Sequence, residues 1–487
     1  MKTRKYIKFG MSFFFVLCLL NITKSQNQVE ALRYSQMYWG GTARFLGSGG
    51  AFGAVGADPS AISTNPASMG IYKKSEMSFS PSIHYSKAMV DYNGMSAEDF
   101  KYNFNISNLG VVLSGKIGAT NSETPQWKFM QFGFGINRLA NYNNNTVIEG
   151  FNDKNSLMTE YRDHANGTMP ANLNAFDTWL AYETYLLDPT DTINFLYSSP
   201  VENGGVQQRK TINTKGSMNE WYFALSGNYN DKLFIGATLG LPYFNYKESS
   251  QYEEDDINDT INGFKNFTIN DNLTTNGSGV NLKVGFLYRP IEMFRFGAAV
   301  HTPTFFYKIS DSFTRDIKSN VNGISYDIKS DVLDYKYEIN TPLRLMGNMA
   351  FVFKNYGFIG LDYEFVDYSS ARLRSSDYNF FNENNNVKNN YQAQHVIRAG
   401  GELNLSPMAL RLGYAYYTNP YKSSINDASR SSISGGIGFR SESVYLDFAY
   451  IYSILKEDYY LYSPKYVNAA NQQFAQSNFV LTMGVRF

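Results

Sequence analysis

The sequence predicts an all-β fold: a 14-stranded antiparallel up-and-down transmembrane β-barrel with an N-terminal hatch plugging the lumen. Three observations predict it. Apolar and polar residues alternate with period two almost continuously from about residue 75 to the C-terminus. Short links between these runs alternate with long ones, as in outer-membrane barrels. A glycine- and alanine-rich stretch at residues 40–70 precedes the runs and is too short to form a domain.

Residues 1–25 have the pattern of a secretory signal peptide, with a basic end followed by an apolar core at residues 11–20. An uncleaved helical anchor is the alternative, but the core is shorter than the roughly 17–25 residues that a transmembrane helix needs. Cys18, the single cysteine, lies in this segment. The mature chain is therefore predicted to have neither a disulfide nor a thiolate metal site.

Composition argues against other classes of protein. The 487 residues carry 43 Lys and Arg against 43 Asp and Glu, so no basic face for a nucleic-acid partner is expected. Tyr and Phe number 38 and 37, and both favour strands and membrane interfaces. No run of about 18 apolar residues follows the signal segment, so a second membrane would have to be crossed by strands.

The alternation predicts fourteen strands, at about 76–88, 103–118, 127–149, 207–229, 233–252, 265–289, 293–309, 330–353, 357–373, 391–405, 408–418, 429–440, 444–456 and 477–487. Tight links are predicted at 230–232, 290–292, 355–356, 406–407 and 441–443, and long links at about 150–206, 253–264, 310–329, 374–390, 419–428 and 457–476. The predicted organisation is a signal peptide at 1–25, a hatch at 26–74 and the barrel at 75–487.

Each predicted strand has one apolar face and one small, polar or charged face. Because hydrocarbon satisfies no free N–H or C=O group, a strand in lipid must pair on both edges, and the sheet is expected to close. The apolar face then meets outer-membrane lipid and the charged face lines the lumen, where both signs of charge predict ion pairs. The predicted lumenal charges are Lys283, Arg295, Arg344, Asp362, Glu364, Arg398, Glu402, Arg411, Arg440 and Asp447.

The last predicted strand places Phe479, Leu481, Met483, Val485 and Phe487 on one face. A final strand that ends in Phe resembles the assembly signal of bacterial outer-membrane proteins, which predicts the barrel-assembly machinery as a partner. An ordinary edge strand that ends in Phe is the alternative.

A barrel of fourteen strands has a lumen wide enough for water unless something fills it. Residues 40–70 are the predicted filler, because their glycines and alanines allow close packing while their apolar side chains need burial. Phe45, Leu46, Phe52 and Val55 are therefore candidate plug or ligand contacts.

Residues 40–44 read Gly-Gly-Thr-Ala-Arg, and Asn65-Pro66-Ala67 follows after further glycines. This stretch resembles the N-terminal hatch of the FadL/TodX outer-membrane transport family, whose hatch motif Asn65, Pro66 and Ala67 match. Further similar stretches lie at residues 277–281, 288–290, 341–345 and 362–369. The resemblance implies a barrel in the outer membrane of a Gram-negative bacterium that takes up long-chain fatty acids or other hydrophobic compounds, and we expect a monomer.

The resemblance also implies a lumenal pocket, release of ligand by a shift of the hatch, and a lateral exit near the third strand. Gly133 and Gly135 in that strand are candidates for a kink at such an exit. Close packing explains the two glycines equally well.

The loop at about 150–206 holds apolar residues at roughly helical spacing: Phe176, Trp179, Leu180 and Leu187. A short amphipathic helix is expected there, either as a capture patch for apolar solutes or as a lid on the barrel.

No catalytic residues, cofactor or metal site are predicted. The sequence has no Gly-x-Ser-x-Gly motif, and its four histidines are scattered without ligand spacing. The acidic run at residues 253–256 is expected to be solvated, with a surface Ca²⁺ site as the alternative. A structural or adhesin barrel, an enzyme, and uptake of haem or aromatic hydrocarbons are the competing hypotheses.

Overall fold

The computed structural model describes residues 26–117, 126–422 and 426–487. The predicted signal peptide at residues 1–25, with Cys18, lies outside the described residues. The strands are β1 Glu76–Tyr92, β2 Met95–Lys116, β3 Trp127–Asn141, β4 Asn144–Asn152, β5 Asp188–Asp191, β6 Leu196–Ser198, β7 Val206–Tyr229, β8 Leu233–Asp255, β9 Phe264–Tyr288, β10 Phe294–His301, β11 Phe305–Val321, β12 Ile324–Lys329, β13 Leu333–Asn340, β14 Arg344–Phe353, β15 Gly357–Asp367, β16 Arg372–Arg374, β17 Ala393–Leu405, β18 Met408–Tyr417, β19 Arg430–Arg440, β20 Val444–Tyr459 and β21 Ala470–Arg486.

Nineteen of these strands form one sheet, which closes on itself because β1 pairs with both β2 and β21. The sheet comprises fourteen barrel strands, and four of them are built from consecutive segments: β3 with β4, β10 with β11, β12 with β13 and β14, and β15 with β16. Neighbouring barrel strands are antiparallel and follow one another in chain order. The predicted 14-stranded up-and-down barrel is therefore confirmed.

The described α-helices are short. They are α1 Gln26–Arg33, α2 Ala43–Gly47, α3 Leu157–Ala165, α4 Thr178–Glu183 and α5 Phe381–Asn390, and 3₁₀ turns occur at Pro59–Ser63, Pro66–Ile71, Pro170–Asn172 and Tyr368–Ser370. Within the described ranges, none of the helices has the length and apolar character needed to cross a bilayer.

Both chain ends of the barrel lie on the side with the short turns, where Ser75 N donates to Phe487 O at 3.0 Å. We call this the inner side. Short turns face the periplasm in outer-membrane barrels, so the opposite side, with the long loops, is called the outer side. The long loop at residues 153–205 carries α3, α4 and the separate hairpin of β5 and β6.

The outer ends of several strands extend further than predicted. β11 turns through Asn322 and Gly323, with φ of 53° and 73°, directly into β12, so the predicted long link at 310–329 is wrong. β1 and β2 meet in the same way at Asn93 and Gly94. Asn-Gly is the common sequence of tight hairpin turns. Hydrophobic periodicity missed the outer end of β11 because both of its faces are largely polar there.

Outward-facing apolar residues form a band around the barrel. On alternate positions of β8 they run from Leu233 to Tyr243, and on β9 from Val280 to Tyr288. Val284, in the middle of the second run, is 49 % exposed. A tilted strand needs roughly 9–11 residues to cross a bilayer. The band therefore matches the hydrocarbon layer, and the rest of the longer strands projects beyond it on the outer side.

The charged residues predicted to face the lumen do so, and eight of the ten form ion pairs, whereas Arg295 donates to Val55 O and Asp362 accepts from Gly53 N. Glu364 pairs with Arg344 and, at 2.6 Å, with Arg398, and Lys283 pairs with Glu220. Charges in a low-dielectric interior are tolerated when they are paired and hydrogen-bonded. The remaining buried pairs on the strands join Glu402 to Arg411, Asp447 to Arg411 and Arg440, and Glu76 to Arg486.

The position of the lipid band can be tested with a single charge. Val284→Lys places an ammonium group at mid-depth on the lipid face, and we expect the free energy of unfolding to fall by about 2–4 kcal/mol. Urea titration of the protein folded into lipid vesicles measures this. Tyr356→Lys, at an inner turn where Tyr356 is 74 % exposed, is the control and should change stability by about 0.5 kcal/mol or less. An equal loss in both variants would contradict the band.

Candidate functional site

Residues 26–74, here called the N-terminal segment, lie among the lumenal faces of the barrel strands. The backbone N–H of Gly41 donates to Ser107 Oγ on β2 at 2.8 Å, and that of Ala43 donates to Thr482 Oγ1 on β21 at 2.7 Å. On the opposite wall, Gly53 N donates to Asp362 Oδ2 on β15 at 2.9 Å. The segment is therefore hydrogen-bonded to walls on several sides of the ring.

Short polar side chains set the local fold of the segment. Thr42 caps α2 by accepting from Phe45 N at 3.1 Å, and its hydroxyl donates to Asp58 Oδ2 at 2.7 Å. Asp58 in turn caps the first 3₁₀ turn by accepting from Ser60 N at 2.9 Å. Caps of this kind satisfy the N–H groups at the start of a helix that have no partner within it. Thr42 and Asp58 thus fix two turns against each other.

The motif Asn65-Pro66-Ala67 joins the segment to the barrel wall. Asn65 Oδ1 accepts from Ala67 N at 3.1 Å, and Pro66 starts a 3₁₀ turn. Asn65 Nδ2 donates to Asn348 Oδ1 on β14 at 3.0 Å and to Phe286 O on β9 at 3.3 Å. The side chain therefore orders its own turn and anchors it at once. The role of the motif in gating stays a prediction.

Arg44 is the charged link between the N-terminal segment and the wall. Its guanidinium makes two hydrogen bonds of 2.9 Å to the carboxylate of Glu402 on β17. Arg411 also binds Glu402, at 2.7 Å. Parallel bonds between Arg and a carboxylate are among the strongest and most directional in proteins. Arg44 therefore holds α2 at a defined position in the lumen.

The four predicted plug contacts are all buried or half-buried but divide into two groups. Phe45 and Leu46 line a lumenal cavity. Phe52 instead packs edge-on against Phe358 of β15, with ring centroids 5.1 Å apart. Val55 belongs to the same buried cluster as Phe52. Only the first pair is placed to touch a solute in the cavity.

The cavity has a volume of about 350 Å³ and lies between the N-terminal segment and the strands from β17 through β21 to β3. Pockets of about 300–1,000 Å³ are typical of small-molecule sites. Aromatic and aliphatic residues form its apolar part: Tyr38, Trp39, Phe45, Leu46, Tyr142, Tyr246, Tyr417, Ile451, Leu455 and Phe474. Uncharged polar residues form most of the rest: Gln36, Asn105, Ser107, Asn141, Asn143, Asn144, Thr214, Ser432, Ser434, Ser453, Gln476 and Asn478.

Four arginines line the cavity, against the single lining carboxylate Glu457. Arg398 is paired with Glu364, and Arg33 lies 4.0 Å from Glu248. The other two arginines, Arg138 and Arg430, form no ion pair with any residue that the structure describes.

Arg430 and Arg138 retain donors for a solute. The Arg430 guanidinium lies 4.2 Å from the ring centroid of Tyr38, and its buried Nε has no hydrogen-bond partner among the described residues. Arg138 Nε donates at 3.3 Å to the backbone oxygen of Ile106. Sequence analysis did not select either arginine. Arg138 has the lipid-facing parity of β3, and the pairing of β3 with β7 shifts register between Arg138 and Ala140.

The barrel wall is interrupted beside the cavity. The ladder between β2 and β3 ends at the pair Asn108 and Asn137, while β4 pairs with β7 alone among the described strands. We call the resulting boundary between residues 95–107 of β2 and residues 138–152 of β3 and β4 the seam. Its β3 edge is occupied by the N-terminal segment, which donates from Tyr38 N to Leu139 O and from Gly40 N to Arg138 O, both at 2.8 Å.

Side chains close the seam further toward the outer side. Asn141 Nδ2 donates to Asn103 Oδ1 at 3.2 Å, and Asn145 Nδ2 donates to Phe100 O at 3.3 Å. Lys101 Nζ crosses from β2 to the backbone oxygen of Thr214 at 2.8 Å. Side-chain contacts thus replace the backbone ladder along this boundary.

The seam begins beyond Gly133 and Gly135, the two predicted kink positions. Both glycines lie in unbroken ladders to β2 and β7. A Cβ atom at Gly133 would lie 2.6 Å from Met69 Sδ and 3.2 Å from Ile62 Cδ1 of the N-terminal segment. These glycines therefore pack closely against their surroundings, the interruption of the ladder begins at Arg138, and a role of the glycines in a kink stays a prediction.

The outer loop at 150–206 contains α3 and α4. Of the residues predicted to lie on one helix, Trp179 and Leu180 are in α4, whereas Phe176 and Leu187 lie outside it. Phe176, Leu180 and Leu187 are buried, and Leu180 and Leu187 belong to one cluster with the outer parts of the strands. The loop thus packs its apolar residues inward, which fits a lid better than an exposed capture patch.

The acidic run at 253–256 is not wholly solvated, contrary to expectation. Glu254 is fully buried and accepts hydrogen bonds from Ser156 Oγ, from Leu157 N at 2.9 Å and from Gln208 Nε2 at 2.8 Å. Asp256 is buried as well and accepts from Ile261 N at 2.7 Å. Within the described ranges, no group of His, Cys, Asp or Glu has the arrangement of a metal site.

The barrel is closed and antiparallel, its outer surface has an apolar band, and its lumen holds charged residues and the N-terminal segment. These features define an outer-membrane type of β-barrel protein. No protein-family model matches the chain, and no curated protein matches its sequence.

Solved structures do match the chain. The crystal structure of a Pseudomonas aeruginosa FadL homologue aligns with a TM-score of 0.56 at 12 % identity, over 93 % of this chain and 99 % of that chain. The Pseudomonas putida toluene transporter TodX aligns with a TM-score of 0.53 at 12 % identity, over 92 % and 99 %. The Ralstonia pickettii toluene transporter TbuX aligns with a TM-score of 0.51 at 14 % identity, over 92 % and 98 %. At these identities the likeness shows a shared fold, so this chain has the fold of those barrels.

Helix α1 is docked through a buried carboxyl group. Glu30 accepts a hydrogen bond from Tyr337 Oη at 2.7 Å. Burial and the nearby Asp311 carboxylate raise the pKa of Glu30 to about 8, although Tyr337 and Arg33 act in the opposite direction and Glu248 adds to the rise. Docked α1 therefore holds Glu30 in its neutral form across the acidic and neutral range.

This raised pKa predicts pH-dependent docking of α1. Below the ordinary pKa of 4.5 the carboxyl is protonated in either state, so docking is strongest there and weakens as the pH rises to about 8. A spin label at Val29→Cys, where Val29 is 39 % exposed, should become more mobile over this interval. In the Glu30→Gln background the change should be smaller, because only Asp311, whose pKa burial raises to about 6, still titrates beside α1. The same pH dependence in both backgrounds would contradict the assignment.

Proposed function

We propose that this protein is an outer-membrane channel for hydrophobic small molecules, with amphiphiles such as long-chain fatty acids as its solutes, and that it belongs to the FadL/TodX family. The N-terminal segment acts as a hatch in this proposal. The observation that supports the proposal is a cavity between the segment and the barrel strands, with the seam in the wall beside that cavity. Such an arrangement gives a solute a holding site and a way out.

The charge and shape of the cavity support the choice of solute. Two guanidinium groups without a carboxylate partner, Arg138 and Arg430, lie beside apolar side chains such as Phe45 and Leu46. An anionic group with an apolar tail would use both kinds of contact, because charge-assisted hydrogen bonds to an arginine are strong in a partly dry site. A neutral aromatic hydrocarbon, the alternative solute, would leave the guanidinium groups unused.

The seam supports a lateral route from the cavity. Residues 38–41 cover the β3 edge with backbone hydrogen bonds, and displacing them would open a path between β2 and β3. Hydrocarbon cannot satisfy the exposed groups, so the segment is expected to return once the solute has left. An adhesin or purely structural barrel would need neither the cavity nor a removable wall element.

The rest of the proposal concerns the setting of the channel. We place the protein in the outer membrane of a Gram-negative bacterium, as a monomer inserted by the barrel-assembly machinery, and we assign it no enzymatic activity. Haem remains a less favoured solute, since His84 is the single histidine among the described residues that line the cavity and could supply only one axial ligand.

Replacing the two arginines tests the class of solute. We expect Arg138→Gln/Arg430→Gln to weaken binding of oleate about 10–100-fold, because a hydrogen bond to a charged group contributes about 1.5–3 kcal/mol. Displacement of a fluorescent fatty acid from purified protein measures the affinity. Binding of toluene, which has no charge, should change little.

The matched control is Arg209→Gln, an exposed arginine on the outer part of β7, which should bind oleate like the wild type. Unchanged oleate affinity in the double variant, or an equal loss for toluene, would refute recognition of an anionic end.

A reversible cross-link tests the lateral route. Tyr38 N and Leu139 O are hydrogen-bonded at 2.8 Å, so the two backbones lie side by side, and no other cysteine follows residue 25; formation of the disulfide is first checked by mass spectrometry. We expect oxidised Tyr38→Cys/Leu139→Cys to fold but to lose oleate uptake in cells, and a reductant to restore it. The Tyr38→Cys single variant controls for the lost ring. Equal uptake by the oxidised and reduced forms would exclude movement of this segment from transport.

A further inference from the structure

Two lysines face each other on the outward surface of the barrel. Lys215 on β7 and Lys247 on β8 are directly opposite in the antiparallel ladder, and both are exposed. They share the parity of the lipid-facing residues Trp221 and Tyr243 on the same strands. Like charges directly opposite each other in a sheet are destabilising. The two lysines are therefore expected to lower the stability of the barrel unless a neighbouring negative charge neutralises them.

A third ammonium group approaches the pair across the seam. Lys101 Nζ donates to the backbone oxygen of Thr214 at 2.8 Å and to Asn213 Oδ1 at 3.1 Å. This places its charge beside the residue that precedes Lys215. We call Lys101, Lys215 and Lys247 the lysine cluster.

Lys215 and Lys247 form no ion pair within the part of the chain that the structure describes, while the Asp99 carboxylate lies close enough to interact with Lys101. The outward neighbours of Lys215 and Lys247 along their strands are Asn213, Ser217, Asn245 and Ser249, all uncharged.

Two other outward lysines on the outer half of the barrel have carboxylate partners, whereas Lys308 and Lys336 are exposed and form no ion pair with a described residue. Lys87 binds Glu98 at 2.6 Å, and Lys318 lies 3.4 Å from Asp327. What distinguishes the lysine cluster is that two of its lysines face each other directly across neighbouring strands.

The height of the cluster matches the head groups of the outer leaflet. Lys247 follows Tyr243, the last apolar residue of the outward run on β8, by four residues. At about 3.3 Å per residue and a tilt of about 45°, this is ~9 Å along the membrane normal. The head-group layer is roughly 5–8 Å thick on each side of the hydrocarbon, and flexible lysine side chains can lean toward it.

We propose that the lysine cluster binds the phosphate of a phosphorylated lipid in the outer leaflet. A phosphate group with its charge of about −1.5 to −2 would neutralise the facing lysines, and its oxygens would accept from their ammonium groups. The acyl chains of the same lipid would lie along the outward apolar residues below, including Tyr243 and Leu241, which are 39 % and 38 % exposed. This site is on the outside of the barrel and does not depend on the proposed transport function.

Native mass spectrometry of the full-length mature protein in mild detergent tests the proposal. Bisphosphorylated lipid A and its fully dephosphorylated form are added in separate titrations. We expect the wild type to bind the bisphosphorylated lipid at least tenfold more tightly than the dephosphorylated one. Lys215→Ser/Lys247→Ser should lose most of this difference. Lys318→Ser, at another outward lysine of the outer strands, is the matched control and should behave like the wild type.

Two further readings complete the test. Barrel folding of each variant is checked by its heat-dependent shift on a gel, which the exposed substitutions should leave unchanged. Inorganic phosphate at millimolar concentration should not displace the lipid, because it lacks the acyl chains. Equal binding of both lipids by the wild type, an unaltered preference in the double variant, or full displacement by inorganic phosphate would each overturn a lipid site at this cluster.

Discussion

The structure depends on one constraint: each backbone N–H and C=O group at hydrocarbon depth needs a partner inside the protein. Pairing of β1 with β21 meets it by closing the ring. The seam between β2 and β3 is an exception to continuous pairing, and there residues of the N-terminal segment donate to the free carbonyl oxygens of Arg138 and Leu139. The N-terminal segment is thus a lumenal element and, at this boundary, a part of the wall.

Close approach of backbones lets the N-terminal segment occupy the lumen. Gly49, in the left-handed region at φ 64°, lies where a Cβ would come within 2.9 Å of backbone atoms of β17 and β18. Glycines on the strands, such as Gly436 near Gly47, place no side chain between the barrel wall and the segment. Near these backbone contacts, side chains of the wall such as Asp362 and Ser434 accept hydrogen bonds from backbone N–H groups of the segment. Small residues therefore set the distance between the segment and the wall, and polar residues set the orientation of the segment.

The number of strands, the inner turns and the lumenal charges could be predicted from the sequence. Lipid on one face and the lumen on the other select for period-two alternation, which is visible locally along each strand. Outer strand ends escaped prediction since Asn, Ser and Thr on both faces give no alternation. The seam escaped it for another reason. Whether β3 pairs with β2 beyond Asn137 is decided by contacts with Tyr38 and Gly40, about a hundred residues earlier. Arg138 has the parity of a lipid-facing residue, so alternation gives no sign that this residue lines the cavity.

The distribution of these contacts favours a local movement over release of the whole N-terminal segment. Displacing residues 38–41 from the seam requires three hydrogen bonds to break, from Tyr38, Gly40 and Gly41, at roughly 0.5–1.5 kcal/mol each. Complete release would also separate Arg44 from Glu402, and breaking one buried ion pair typically costs about 3–5 kcal/mol. Movement of residues 38–41 alone therefore requires less free energy, and it leaves the anchored remainder of the segment in place to keep the barrel closed to water.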